Sequence, residues 1–263
     1  MKILIHGIGG RMGGLTARVA GDVRGVLPVV GVDAGWRGGM FRAGDVMIPV
    51  VRSLSQVGGG IGGVVDFSRP DATEELLAFC VREGTPLVIG TTGQGEAELD
   101  LIRRAAARIP IVLCANFSPG MACLLSLARQ AAGAFPAADT EILEIHRRGK
   151  ADAPSGSALV LARQIADARQ DASPPDPAAP VKAPAKTEAI RPGARGCLCS
   201  GIPVHALRLT DAVPEHRVIF AADGECLTLT HTVSDPAVFC RGALRALLSL
   251  EGRTPGMYGD GCP

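Results

Sequence analysis

Apolar residues come in short, nearly unbroken runs over the first 115 positions, at Lys2–His6 and at 29–32, 64–67, 86–90 and 110–115. Runs of this kind predict strands covered on both faces. Between them the period lengthens to that of a helix. Met12, Leu15 and Val19 share a face, as do Leu76, Leu77, Cys80 and Val81 within 71–83, and Leu99 and Ile102 within 96–108. Gly84 stands where the helix over 71–83 should end. Such strand–helix alternation predicts an α/β fold with an open parallel sheet of the Rossmann type.

After Asn116 the pattern changes. A helix is predicted over 121–134, a strand over 141–146 and a helix from Ser155 to about Ala168. Pro174, Pro175, Pro177, Pro180, Pro184 and Pro192 crowd the stretch 170–196, which predicts an extended loop or arm. Strands over 217–222 and 225–233 flank Asp223-Gly224, a hairpin signal. Asp235-Pro236 opens a last helix with Leu244, Leu247 and Leu248 on one face and Gly252 at its end. There is no internal repeat. The expected organisation is a dinucleotide-type domain over 1–117, a smaller α+β domain over 118–234, and a C-terminal helix within 235–263 returning to the first.

Composition narrows the classes. At 263 residues the chain suits one large domain or two small ones. A hydrophobic fraction of 47% with 20% charged residues excludes disorder for most of its length. The 27 Lys and Arg against 26 Asp and Glu leave no basic field, so nucleic acid is not the expected partner. No apolar run approaches the ~18 residues of a membrane span, and the chain opens directly into a strand, so a soluble cytoplasmic protein is expected. The 8 Cys include no CxxC pair, the nearest spacing being Cys197-Leu198-Cys199. They read as reduced, mostly buried small hydrophobes, and no metal site is expected. Gly, at 34, is roughly twice average usage, which suggests tight backbone turns around a ligand.

Candidate chemistry sits in two places. Gly7, Gly10 and Gly13, spaced GxxGxxG with Arg11 and Met12 inside the motif, join the first strand to the first helix. Glycines there let the backbone approach a pyrophosphate, and the helix N-terminus offers N–H groups to it; the alternative is a tight turn in a Gly-rich chain. Asp33, at the end of the second run, stands where an acid accepts from a ribose hydroxyl, or is a plain loop carboxylate. Gly90-Thr91-Thr92-Gly93 follows another strand and is a ligand-facing loop or an ordinary turn. His6 reads as a core or sheet-end histidine.

The second place is the polar segment 144–157, EIHRRGKADAPSGS, between a strand and a helix. Ser155 as a cap leaves the N–H groups of Gly156 and Ser157 for an anion. Lys150 and Arg147 add two cations, which suits a small dicarboxylate, and His146 can supply a proton near neutral pH. The alternative is a solvated basic loop with a simple N-cap. His205, His216 and His231 show no ligand-like spacing and read as structural or surface residues.

Taken together, GIGGRMG at 7–13, DFSRP at 66–70, GTTG at 90–93, ANFSPG at 115–120 and EIHRRGKADAPSGSAL at 144–159 resemble the dihydrodipicolinate reductase family. The resemblance implies a nicotinamide-binding first domain and a substrate-binding and oligomerisation domain on a mixed sheet, closing over the ligand and commonly assembling as homotetramers. It implies that Gly7, Arg11, Met12, Asp33, Gly90, Thr92, Ala115, Asn116 and Phe117 line the cofactor. His146 and Lys150 take the catalytic positions, with Gly156 and Ser157 on a substrate carboxylate. The family usually has paired histidines where this chain has His146-Arg147, and Arg147 is expected to bind carboxylate in that place. Gly156-Ser157 stands for a usual Gly-Thr, Arg208-Leu209-Thr210 for an Arg-Gly-Gly, and Pro214-Glu215-His216 for a Gly-Glu-His.

The expected activity is NAD(P)H-dependent reduction of a cyclic, unsaturated dicarboxylate, dihydrodipicolinate from 4-hydroxy-tetrahydrodipicolinate, in diaminopimelate and lysine synthesis. NADH is expected to be preferred because Asp33 repels a 2′-phosphate, with NADPH still used because Arg37 lies nearby. The rivals are a paralogous reductase of another cyclic imine and a nucleotide-sensing Rossmann protein without turnover.

Overall fold

The computed structural model describes residues 1–172, 188–189, 196–222 and 224–259. The chain divides into two compact units: Met1–Pro119 with Pro236–Pro263, and Gly120–Asp235.

In the first unit the elements run β1 (Lys2–His6), α1 (Arg11–Val19), β2 (Leu27–Val32), β3 (Met40–Ala43), β4 (Val46–Val51), β5 (Gly63–Asp66), α2 (Thr73–Glu83), β6 (Leu87–Ile89), α3 (Glu96–Ala106) and β7 (Pro110–Leu113). After the second unit come α6 (Ala237–Ser249) and β14 (Gly256–Tyr258). They form one eight-stranded sheet in the order β14-β7-β6-β5-β1-β2-β4-β3. All pairs are parallel except the β3–β4 hairpin. Alternate residues of the same strands feed opposite cores. Ile3, Ile5, Val65, Val88 and Val112 pack with Ala17, Leu244 and Leu247 from α1 and α6. Leu4, Val64, Leu87, Ile89 and Ile111 pack with Leu76, Leu77 and Ile102 from α2 and α3. Both faces are covered, which is why the strands read as unbroken apolar runs rather than alternating ones. Gly84, at φ 64°, closes α2 by donating its N–H to Cys80 and Val81 oxygens, a conformation a side chain at that position would resist.

Three strands of this sheet were not anticipated: β3, β4 and β14. Here β4 carries Pro49 and β14 is three residues long, so neither presents a period to read. They extend the two edges of a sheet whose centre the pattern predicted.

The second unit holds α4 (Pro119–Ala134, which begins at the boundary), β8 (Asp139–Arg147), α5 (Gly156–Ala172), β9 (Glu188–Ala189), β10 (Gly196–Cys199), β11 (Ile202–Leu209), β12 (Glu215–Ala222) and β13 (Glu225–Thr232). Its mixed sheet runs β13-β12-β8-β11-β10-β9, parallel only between β8 and β11. Ile142, Val204, Val218 and Phe220 point to one buried face, where α5 lays Ala158, Leu161, Ala162 and Ile165 against the sheet. β10 and β11 also went unanticipated. Of the predicted arm over 170–196, residues 170–172 finish α5, Glu188–Ala189 pair with β10, and Gly196 opens β10, while 173–187 and 190–195 lie outside the described residues. The β12–β13 hairpin turns through Gly224 at φ 85°, with Asp223 outside the described residues.

Candidate active site

In the first unit the carboxyl ends of β1, β2, β5 and β6 gather the predicted nucleotide residues. The turn after β1 is built by close approach. A Cβ on Gly7 would lie 2.6 Å from the Phe67 carbonyl oxygen, one on Gly13 2.1 Å from the Gly7 oxygen, and one on Gly9 2.7 Å from Asp33 Oδ2. Gly7 also stands at φ 77°. Gly10 caps α1 without a side-chain hydrogen bond, and α1 has no acid in its first turn. Arg11 is the first helical residue and is exposed, while Met12 is half-buried against the core. A glycine-walled, acid-free helix N-terminus fits a dinucleotide pyrophosphate.

Asp33 follows β2. Its Oδ2 accepts the Gly9 N–H at 3.0 Å and its Oδ1 the Gly35 N–H at 3.0 Å. Pairing of Val32 with Val51 brings Arg52, at the end of β4, beside this loop, where its Nε donates to the Ala34 oxygen at 3.1 Å. Gly35, Trp36, Arg37 and Arg52 line one open pocket. Sequence reasoning found Arg37 and missed Arg52, because only the unforeseen β4 puts it there.

A single buried carboxylate joins the remaining loops. Asp66, 1% exposed, accepts from His6 Nδ1 (2.8 Å), Ser68 Oγ (2.5 Å), the Ser68 N–H (3.2 Å) and Thr91 Oγ1 (2.6 Å). His6 is thus a sheet-end histidine with a named partner. The Gly90 position is as tight as the turn after β1, since a Cβ there would meet the Phe67 ring at 2.1 Å. Thr92 is exposed on the same loop. Past β7, Ala115 is exposed, Asn116 Oδ1 accepts the Ser118 N–H at 3.0 Å, and Phe117 is buried edge-on to Phe67.

The second unit holds the other cluster. Glu144 lies on the inner face of β8 with no exposed surface. Its Oε1 accepts from Arg208 Nη2 (2.7 Å) and the Ser155 N–H (3.0 Å), and its Oε2 from Arg208 Nη1 (2.9 Å) and His146 Nδ1. Burial pushes the Glu144 carboxyl up, but the hydrogen bonds and charges of His146 and Arg208 outweigh it and hold the group at about 2. Breaking a buried pair of this kind by removing one member typically costs ~3–5 kcal/mol, because the other charge is left uncompensated. Ser155 Oγ in turn accepts the Ala158 N–H at 3.3 Å, capping α5, and bonds His216 Nε2 at 3.0 Å. His216, buried edge-on to the His146 ring at 5.2 Å, is pushed down to about 3, chiefly by burial and next by His146.

At the end of β8, Arg147 is exposed and Lys150 donates its N–H to the Arg147 oxygen at 3.1 Å and its ammonium to Asp152 at 2.7 Å. Gly156 is exposed at the start of α5 and Ser157 is half-buried beside it. The fold therefore brings His146, Ser155 and Arg208 round one carboxylate, with Gly156 and Ser157 following Ser155 into α5, Arg147 at the end of β8 and Lys150 on the turn after it. The sequence points to no role for Glu144 or Arg208, and the structural or surface reading of His216 resolves to a buried residue bonded to Ser155. Arg208 and Glu144 are 64 residues apart and meet only through the parallel β8–β11 register. Among the described residues no group of three His, Cys, Asp or Glu side chains is arranged to hold a metal ion. No helix among them is long and apolar enough to cross a membrane.

Known proteins align with nearly all of this. The family described as dihydrodipicolinate reductase, N-terminus, matches residues 1–117, and dihydrodipicolinate reductase, C-terminus, matches 120–260. The 4-hydroxy-tetrahydrodipicolinate reductase of Alkalilimnicola ehrlichii is 36% identical over 98% of this chain and 96% of its own length. That of Clostridium tetani is 33% identical over 100% and 96%. A dipicolinate-bound dihydrodipicolinate reductase from Paenisporosarcina superposes with a TM-score of 0.74 over 98% of this chain and 97% of that one, at 24% identity. A myo-inositol dehydrogenase from Corynebacterium glutamicum gives 0.62 over 95% and 87%, at 14%, and shares the fold alone. The chain belongs to the dihydrodipicolinate reductase family.

Proposed function

We propose that this protein is a 4-hydroxy-tetrahydrodipicolinate reductase, an NAD(P)H-dependent oxidoreductase forming tetrahydrodipicolinate for diaminopimelate and lysine synthesis. The observation that carries this is that Glu144 ties the His146 imidazole to the turn into α5, on a short segment that also carries the cations Arg147 and Lys150, in a chain of this family. A protein that only sensed nucleotide would have no use for it.

The glycine turn at Gly7, Gly10 and Gly13 and the start of α1 at Arg11 and Met12 hold the pyrophosphate of a nicotinamide dinucleotide. Asp33 serves its adenosine ribose, and Gly90, Thr92, Ala115, Asn116 and Phe117 its nicotinamide end. When bound, the cofactor supplies the hydride. Lys150, Arg147 and the Gly156 and Ser157 turn hold the carboxylates of a cyclic dicarboxylate and offset developing charge. His146 donates the proton that completes reduction at the ring.

NADH is preferred and NADPH is also used. Asp33 favours a free ribose diol, whereas Arg37 and Arg52 on the neighbouring pocket offer a 2′-phosphate two cations. The protein works as a cytoplasmic homotetramer. Leu143, Ile145, Leu207 and Ile219 lie half-buried on the sheet face opposite α5, and Leu209 there is 47% exposed, an apolar surface suited to a second copy. Sedimentation of the purified protein at four times the chain mass is the expected result.

Loss of NADH absorbance with enzymatically generated dihydrodipicolinate tests the activity. Turnover is expected. Nucleotide binding without turnover would instead favour a sensor or a paralogue acting on another cyclic imine.

A further inference from the structure

Glu144 is wholly enclosed, yet both its oxygens are bonded twice over. The donors come from three parts of the second unit: His146 two residues along β8, Arg208 on β11, and the Ser155 N–H at the turn into α5. We propose that Glu144, held by the Arg208 fork, is the positioning residue of the reaction. It fixes His146 in the Nδ1–H tautomer so that Nε2 delivers the proton, and it ties that acid to the carboxylate-binding turn at Ser155. This rests on the reading of His146 as the proton donor.

The tautomer follows from the chemistry of the pair. A carboxylate held at about 2 stays ionised at neutral pH and can only accept. The hydrogen of the His146–Glu144 bond therefore belongs to Nδ1. A histidine free in water favours hydrogen on Nε2 instead, so Glu144 imposes the opposite choice. The protonated imidazole then carries its transferable hydrogen on Nε2. In the step, the Nε2–H bond breaks and leaves its electron pair on nitrogen, while the electron pair of the reduced ring takes the proton to form a C–H bond. His146 ends neutral with Nδ1–H still on Glu144, and solvent returns the Nε2 proton. Arg208 keeps Glu144 from taking the proton itself, because its two N–H groups at 2.7 and 2.9 Å favour the ionised carboxylate.

His216 fits the same scheme. Held down to about 3, it is neutral at working pH and places no like charge beside the imidazolium it meets edge-on. Through Ser155 Oγ it braces the same turn that Glu144 holds by the Ser155 N–H. One carboxylate thus keeps the acid and the anion seat in a fixed relation, which is what a reaction needing both groups in one geometry requires.

The test is a two-bond proton–nitrogen correlation spectrum of the protein labelled with nitrogen-15 histidine, in mildly alkaline buffer, with the His146 signals identified by their absence from H146Q. Wild-type His146 is expected as the Nδ1–H tautomer. E144Q, whose amide can donate to Nδ1, is expected to shift His146 to the Nε2–H form and to lower kcat at least tenfold while KM for NADH stays as in wild type. A wild-type His146 carrying its hydrogen on Nε2 overturns the proposal, as does an E144Q enzyme with wild-type kcat. The wild-type spectrum needs no variant and decides the tautomer by itself. H146Q with full turnover would instead remove the reading of His146 as the acid, a separate failure that leaves the tautomer result standing.

Discussion

Lys150 shows why neighbouring charges in this site do different work. Its ammonium sits on Asp152 at 2.7 Å; burial pushes the Asp152 carboxyl up, but the Lys150 hydrogen bond and charge outweigh it and hold the group low. A lysine held by its own loop is aimed before substrate arrives, and Lys150→Ala is expected to lower kcat and raise KM together, since its charge serves ground and transition states alike. His146→Ala is expected to act chiefly on kcat, by roughly the 10²–10⁴-fold typical of a lost general acid. Arg147→Ala is expected to raise KM for the dicarboxylate with little change in kcat, because guanidinium is always charged and binds without giving up a proton. Steady-state kinetics of the three variants check all of this, and near-wild-type kcat/KM in either His146→Ala or Lys150→Ala would remove that residue from the mechanism. On the cofactor side the ratio of kcat/KM for NADH over NADPH is expected on the order of ten, or about 1.4 kcal/mol. Asp33→Ser should narrow it, and Arg37→Ala or Arg52→Ala should widen it. A wild-type preference for NADPH would contradict the role given to Asp33.

At the scale of elements, two helical glycines separate propensity from packing. A Cβ on Gly242 in α6 would stand 1.8 Å from the Phe117 carbonyl oxygen, whereas one on Gly133 in α4 meets nothing within 4 Å. Replacing glycine by alanine in a helix gains up to ~1 kcal/mol of propensity. At Gly133 that gain is unopposed, so Gly133→Ala should raise the denaturation midpoint. At Gly242 the obstacle is backbone, and overpacking of ~1–3 kcal/mol exceeds the gain. Gly242→Ala should lower the midpoint and, by displacing Phe117, raise KM for NADH. Elements differ in the same way in how far they could be read. The central strands β1, β2, β5, β6 and β7 were legible because helices cover both faces and leave polar residues only at strand ends, such as Lys2, His6 and Asp66. The edge strands β3 and β14, and β4 beside β3, were not, because Pro49 and short length erase the period. The glycine turn and the segment around His146 were legible as local strings. Arg52, Arg208 and His216 were not, since each reaches its partners only through strand pairing across distant parts of the chain.

For the whole molecule, the buried titratable groups of the second unit set how it responds to acid. His216 is held at about 3 in the folded protein against 6.5 ordinarily, and Glu144 at about 2 against 4.5. In both cases the unfolded chain binds its proton at higher pH than the folded one. Stability therefore rises with pH across each window and is lost as the pH falls. His216 acts first, from about pH 6.5 downward, and Glu144 joins below about pH 4.5. Each proton taken up on unfolding contributes a slope of up to about 1.4 kcal/mol per pH unit, so the second unit should weaken steadily between pH 6 and 5 on His216, with His231, which burial also pushes down, adding to it, and more steeply below. His216→Asn removes the titrating ring and retains an amide to meet Ser155. It should flatten the dependence of the unfolding midpoint between pH 6 and 5, while leaving the steeper loss below pH 4.5 in place. Urea titrations of both proteins at a series of pH values check this. Equal slopes above pH 5 in wild type and His216→Asn would mean that His216 is not held neutral by burial, and that the response in that window comes from other groups such as His231.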